Sequence, residues 1–165
     1  MEHSFSRYKM ILLVCLMLTN VSLFGKSLHW LSYNRVAGDM TLFFMGAGGA
    51  GGYYADNFSY TWQDSTKFYT VDFSSIKSAS WDPDMLGVGF SWTKVVGEKN
   101  IKQIVSVGPK IYSSNSIPIP TVQASYTFAW ILGKNFTLQC GTSLSLYAVL
   151  NLLEVRAGLA YGVFN

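Results

Sequence analysis

The sequence predicts an all-β protein: an antiparallel, up-and-down transmembrane β-barrel of about eight strands, preceded by a signal peptide. Three observations carry that prediction. Hydrophobicity alternates with a period of two in one segment after another, the chain is far poorer in charge than a soluble domain, and its one long apolar run lies at the N-terminus.

Composition sets the class. Of 165 residues, 50% are hydrophobic, 16% aromatic and only 13% charged, with 15 glycines and a mean hydropathy of +0.24. A soluble domain carries roughly a quarter charged residues, so about half of the usual solvating charge is missing. Past the N-terminus no apolar run approaches the roughly 18–20 residues of a spanning helix, and any membrane structure in the body of the chain must therefore be built from strands. The formal net charge is +3, and the cations from Lys67 to Arg156 are scattered singly. A nucleic-acid face needs clustered Lys and Arg, so nucleic acid is not an expected partner.

Residues 1–26 read as the signal peptide. Arg7 and Lys9 precede an apolar run from Met10 to Phe24, which is followed by Gly25, Lys26 and Ser27. The order is that of a basic start, an apolar stretch and a small-residue exit, with cleavage expected near Gly25 or Ser27. The run is short for an anchor and contains Asn20. Cys15 lies inside it, after Leu12, Leu13 and Val14, without the small residue that a lipoprotein box requires. Removal of the signal leaves Cys140 as the only cysteine, which excludes an intrachain disulfide. The remainder, 27–165, is a single barrel domain. Within it, 27–38, with His29, Trp30 and Tyr33, precedes the regular pattern and is expected to pack on or plug the barrel.

The alternation is clearest near the C-terminus. Val155, Ala157, Leu159, Tyr161 and Val163 form one face of the last segment, and Glu154, Arg156, Gly158, Ala160, Gly162 and Phe164 form the other. Phe136, Leu138, Cys140, Leu144 and Leu146 oppose Thr137, Gln139, Gly141, Ser143 and Ser145, with Thr142 interrupting the apolar row. Val122 to Leu132 and Val105 to Ile111 repeat the pattern, the latter weakened by Pro109, which lacks a ladder donor. Leu86 to Trp92 and Tyr69 to Phe73 do the same. A first hairpin is expected from Met40 to Trp62, bent or turned by the run Gly46 to Gly52. Connections after Trp62, Val96 and Leu132 are short, whereas Ser75 to Pro83 and Ser113 to Pro120 are longer. Short and long connections alternate in this way in outer-membrane barrels, although the link near Asn151 is short where a long one is due.

Period alone does not separate a membrane barrel from a soluble sandwich or a secreted lipid-binding barrel, which is the main rival fold. Face composition does. The polar faces are mostly Gly, Ser, Thr, Ala and Gln, which suit a narrow interior, rather than the Lys and Glu of a solvent face. The apolar faces end in aromatics at Trp62, Trp92, Trp130 and Tyr161, where interfacial girdles are expected. Lys94, on an apolar face near a strand end, is placed to snorkel.

On these residues the chain resembles the small outer-membrane β-barrels of Gram-negative bacteria, OmpA-, OmpX- and OmpW-like in general shape. The tail Arg156-x-Gly158-x-x-Tyr161-x-Val163, followed by Phe164, is similar to the signal read by the barrel assembly machinery, with Asn165 as a departure. The resemblance implies a bacterial outer-membrane location, outer-membrane lipid as surroundings and the assembly machinery as a partner during biogenesis.

Nothing in the sequence builds a catalytic, metal or cofactor site. Gly46-Ala47-Gly48-Gly49-Ala50-Gly51 matches a dinucleotide fingerprint, with Asp72 at the expected distance, but Tyr53, Tyr54, Asp56, Asn57 and Phe58 follow where a helix is needed. His3 lies in the signal, which leaves His29 for catalysis, and a lipid-modifying enzyme would require it beside a serine. The sequons at Asn57 and Asn135 carry no meaning in a bacterial exported protein. Asp72, Lys110, Glu154 and Arg156 sit on polar faces. Turned inward, they must form a paired lumenal charge network, because an unpaired buried charge is costly. The expected role is structural, adhesive or ligand-binding through the loops Ser75–Pro83 and Ser113–Pro120, without catalysis. A narrow channel for small hydrophobic or ionic solutes is the alternative of the same fold, and a lipid-modifying enzyme is a third.

Overall fold

The computed structural model describes residues 28–44, 47–78, 85–98, 100–114, 117–147 and 150–163. Eight strands follow one another: β1 (His29–Phe44), β2 (Ala47–Asp64), β3 (Lys67–Ser78), β4 (Met85–Val96), β5 (Ile101–Ser114), β6 (Ile117–Ile131), β7 (Phe136–Tyr147) and β8 (Leu150–Val163). Each pairs antiparallel with the next, and β8 pairs with β1, closing the barrel. The predicted fold class is the observed one.

Closure comes with a stagger. From His29 the cross-strand partners run through Trp62, Tyr69, Trp92, Val107, Ala124, Leu144 and Leu153 and return to β1 at Asp39, ten residues further along. That shear tilts eight strands by roughly 40–45° and leaves an interior that side chains can fill.

Burial follows the pleat. In β4 every second residue from Met85 to Thr93 is buried and its neighbours are exposed, and β6 repeats the pattern from Thr121 to Ala129. The exposed rows hold Leu86, Val88, Phe90, Trp92, Val155 and Leu159, and the buried rows hold Asp72, Ser91, Gln123, Thr127 and Ser143. This is the inverse of a soluble domain: the hydrocarbon-like side faces out and the hydrophilic side is enclosed. The expected aromatic girdle forms at one end, the rim that carries His29, Val163 and the 65–66, 97–100 and 132–135 turns. There Trp62, Tyr69, Phe90 and Trp92 make ring contacts of 5.8–6.4 Å, and Phe136 meets Tyr161 at 5.1 Å. Gly97 closes one of these turns with φ 124°, a conformation that glycine adopts without strain.

Several expectations are corrected. Residues 29–38 are neither plug nor appendage: they are the first half of β1, with Trp30, Ser32, Asn34 and Val36 inward. Their alternation was obscured because the inner row mixes Ser32 and Asn34 with Trp30 and Val36 and the outer row contains Arg35. From Ala47 onward the glycine run is extended rather than bent: β2 begins at Ala47 and pairs Gly48, Gly49, Gly51 and Gly52 with β1, while Gly46 lies outside the described residues. That extended backbone also rules out the helix a dinucleotide would need. The long connection Ser113–Pro120 shrinks to 115–116, because Pro118 and Pro120 belong to β6. They are tolerated because β6 there pairs only with β5, its pairing with β7 beginning at Val122. Likewise β3 extends to Ser78, leaving 79–84 as the longest link at this upper rim, and Asn151 lies inside β8. Short and long connections therefore do not alternate; the strands absorb the residues and run 12–18 residues, past the 9–11 that cross a bilayer. Pro109 leaves its mark: the β4–β5 ladder is interrupted between Gly89↔Lys110 and Trp92↔Val107.

A closed barrel of this kind resists detergent until heated. The purified chain in mild detergent is expected to show a β-type circular dichroism spectrum and a gel mobility that changes on boiling. Identical mobility with and without boiling, together with recovery in a water-soluble fraction, would contradict the closed membrane barrel.

Candidate functional site

The interior is layered. At the upper rim Val36, Tyr53, Ala55, Ile76, Met85, Tyr112 and Leu152 form a buried apolar cluster with Ile119 packed against it. At the opposite rim Trp30, Ile104, Ala129 and Ala160 form another, backed by Phe68, Val95 and Ile131. Between them lies a polar band supplied by inward positions of all eight strands.

Lys110 is the centre of that band. Its Nζ donates to Asp72 Oδ2 at 2.5 Å and to Ser74 Oγ at 2.6 Å, and the side chain is 1% exposed. Asn57 Nδ2 donates to Ser74 Oγ at 2.9 Å and to Asp72 Oδ2 at 3.4 Å. The ammonium lies 5.2 Å from the Tyr112 ring centre, and Tyr112 Oη meets Ser145 Oγ at 3.3 Å. Two glycines of β4 make the room. A Cβ at Gly89 would lie 2.3 Å from Asp72 Oδ1, and one at Gly87 would lie 2.8 Å from the Tyr112 ring. The Lys110 stem and the Tyr112 ring cross the barrel over these bare positions.

Glu154 is held separately. Tyr53 Oη donates to its Oε1 at 2.9 Å, and Ser143 Oγ donates to its Oε2. Nearer the lower rim a hydroxyl row, Thr61, Thr70, Thr93 and Ser106, crosses four strands at 2.8 Å per step. Beside it is a cavity of about 40 Å³ lined in part by Asn34, Asn57, Asp72, Gln123, Gln139 and Arg156. Buried Arg156 Nε and Nη2, Asn34 Oδ1 and Asn57 Oδ1 make no hydrogen bond to protein there. Donors and acceptors together around a space of one or two water molecules are what a bridging water satisfies.

Of the four charges expected to face the lumen, Lys110 and Asp72 form an ion pair. Glu154 and Arg156 are not paired with each other: two residues apart on one strand, they point into different layers, Glu154 toward Tyr53 and Arg156 toward the cavity. The four charges still cancel in sum. Tyr53 as Glu154's donor is not evident from the sequence pattern. Only its inward side is marked, by the parity it shares with Ala55 and Asn57 beyond the glycines. His29 is buried at the lower rim with Trp62 and Val163 as cross-strand partners, so neither neighbour is a nucleophile. Gly158 and Gly162 face inward in β8 beside Arg156, Tyr161 and Val163 face out, and Phe164 lies outside the described residues.

Removing one member of a buried pair strands the other. Lys110→Met is expected to cost about 3–5 kcal/mol in urea unfolding from lipid vesicles, and Lys110→Met with Asp72→Leu is expected to recover most of that loss. Equal stability of Lys110→Met and wild type would contradict a buried network.

No protein-family model matches the chain, and no curated protein sequence matches it significantly. Solved structures do. Neisserial surface protein A (NspA) superposes with a TM-score of 0.57 at 10% identity, over 81% of this chain and 96% of that one. Ail, the attachment invasion locus protein of Yersinia pestis, solved with the heparin analogue sucrose octasulfate, gives 0.54 at 12% identity over 81% and 98%. At such identities the likeness is one of fold, and the chain shares the eight-stranded architecture of these small outer-membrane barrels.

Proposed function

We propose that the chain is a non-catalytic bacterial outer-membrane barrel, structural in its closed lumen and adhesive or ligand-binding at its upper rim. The observation that carries this reading is the layering of the interior: an apolar cluster at each end of a neutral, hydrogen-bonded band that holds a cavity of about 40 Å³. An ion or solute path through such an interior would have to displace Tyr112 and Trp30 and break the Lys110–Asp72 pair, which weighs against the narrow-channel alternative. At the upper rim β5 and β6 run on together to Ser114 and Ile117, beyond the pairing of β6 with β7 that begins at Val122. That extension, rather than long loops, offers a recognition surface on a rigid scaffold. Ail with its bound heparin analogue is an example of ligand recognition by a barrel of this fold.

In this reading residues 1–26 direct export and both ends of the mature chain lie on the periplasmic side with the short 65–66, 97–100 and 132–135 turns. Arg156, Gly158, Tyr161, Val163 and Phe164 serve the assembly machinery. Two measurements test it. In planar bilayers the purified chain should give no discrete conductance steps; reproducible steps lowered by changing Glu154 and Arg156 would favour the channel instead. On intact cells an epitope inserted at 115–116 should be reached by antibody and one at 133–134 should not. The opposite pattern would overturn the assignment of the rims.

A further inference from the structure

Lys77 and Lys94 face outward near strand ends, but two charged side chains break the apolar exterior far from either rim. Arg35 of β1 and Asp56 of β2 are direct cross-strand partners. The alternation that turns Asn34, Val36, Ala55 and Asn57 into the lumen turns these two outward. Neither is near a rim. Arg35 is six residues from His29 and pairs on its other side with Ala157, itself six residues from Val163, while Asp56 is eight residues from Asp64. Phe58, Phe73 and Val155 share their surface. Tyr33 Oη donates to Asp56 Oδ1 at 2.7 Å, but among the described residues no ion pair joins Arg35 to Asp56.

Charge on a lipid-facing surface is destabilising in proportion to its depth, and most so near the midplane. An arginine can extend its head toward an interface. Asp56, on a single methylene, cannot. Intramembrane ionisable groups that are kept in place face protein or water, so this face is built to be covered by something other than hydrocarbon.

We propose that the covering is a second copy of this chain, packed through β8, β1 and β2 about a twofold axis along the membrane normal. The patch is complementary to itself because it carries both signs. Rotation about that axis preserves depth, and as neighbours on adjacent tilted strands Arg35 and Asp56 lie at nearly the same depth. Each arginine then meets the aspartate of the other copy, as an isologous interface requires. Shape agrees. A shallow external depression of about 410 Å³ is lined by Arg35, Val36, Ala37, Tyr54, Val155 and Ala157 among others, and Tyr54, 62% exposed, projects beside it. The small Ala37 and Ala157 permit close backbone approach, and the tyrosine of each copy enters the depression of the other.

Charge reversal in two separately tagged pools tests this on the full-length chain. Native mass spectrometry from mild detergent should show wild-type dimers, and Arg35→Asp or Asp56→Arg alone should each lower the dimer fraction at least tenfold. Mixing the two single variants should restore dimers made of one of each, because every contact between them is again between opposite signs. Arg35→Leu combined with Asp56→Leu removes both charges; it should keep the heat-shifted mobility of a folded barrel yet be monomeric. A monomeric wild type, with or without bound lipid, overturns the proposal. So does a mixture no more dimeric than its separate components.

Discussion

A backbone that crosses hydrocarbon finds no water for its amide groups, and in this chain that demand is met at the seam where β8 meets β1. The seam pairs His29–Leu42 with Leu150–Val163, and without it β1 and β8 would be two unpaired edges within the apolar belt. The seam also sets the stagger, because the register returns to β1 ten residues higher, and stagger with strand number fixes tilt and radius. Interior contents follow from that radius. Eight strands enclose a space that side chains fill apart from a cavity of about 40 Å³, so inward polar residues must find partners inside or around that cavity.

The filling is consistent with this constraint at each level. Gly87 and Gly89 clear space on β4 so that Lys110 and Tyr112 of the neighbouring strand can lie across the barrel. Lys110 offsets Asp72, and the hydroxyls of Tyr53 and Ser143 hold Glu154. Aromatic and aliphatic layers close both ends over this band. Low dielectric strengthens each of these hydrogen bonds and makes each unpaired group expensive, so the network specifies one arrangement of strands. The exterior obeys the opposite rule, and the outward Arg35 and Asp56 break it far from the strand ends where Lys77 and Lys94 face out.

Much of this was legible in the residues. Period-two alternation located six strands from Tyr69 to Val163 and assigned their faces, because the inner rows are small and polar and the outer rows large and apolar. The polar-face positions of Asp72, Lys110, Glu154 and Arg156 were legible from parity, but which charge meets which was not. The rest depended on distances along and across the sheet that no local pattern encodes. β1 was hidden because Ser32 and Asn34 line the lumen while Arg35 faces out, so neither row reads as apolar. Glycine in 47–52 and proline in 118–120 signal turns locally, yet pairing with β1 and β5 holds both stretches extended. Whether Glu154 meets Arg156 or Tyr53 is decided by the shear, which only closure determines.

The account depends on the orientation of the two faces, and single cysteines placed on each, in a chain with Cys15 and Cys140 replaced by Ser, measure it directly. In the protein folded in vesicles, a fluorophore at Val155→Cys or Val88→Cys should be quenched by brominated lipid tails and shielded from water-soluble quencher. Cysteine at Gln139 or Thr127 should resist labelling in the folded state. Rapid reaction of the Gln139 and Thr127 cysteines with a water-soluble maleimide, with the Val155 and Val88 sites untouched by the brominated tails, would mean that the polar rows face solvent and that the molecule is not a membrane barrel.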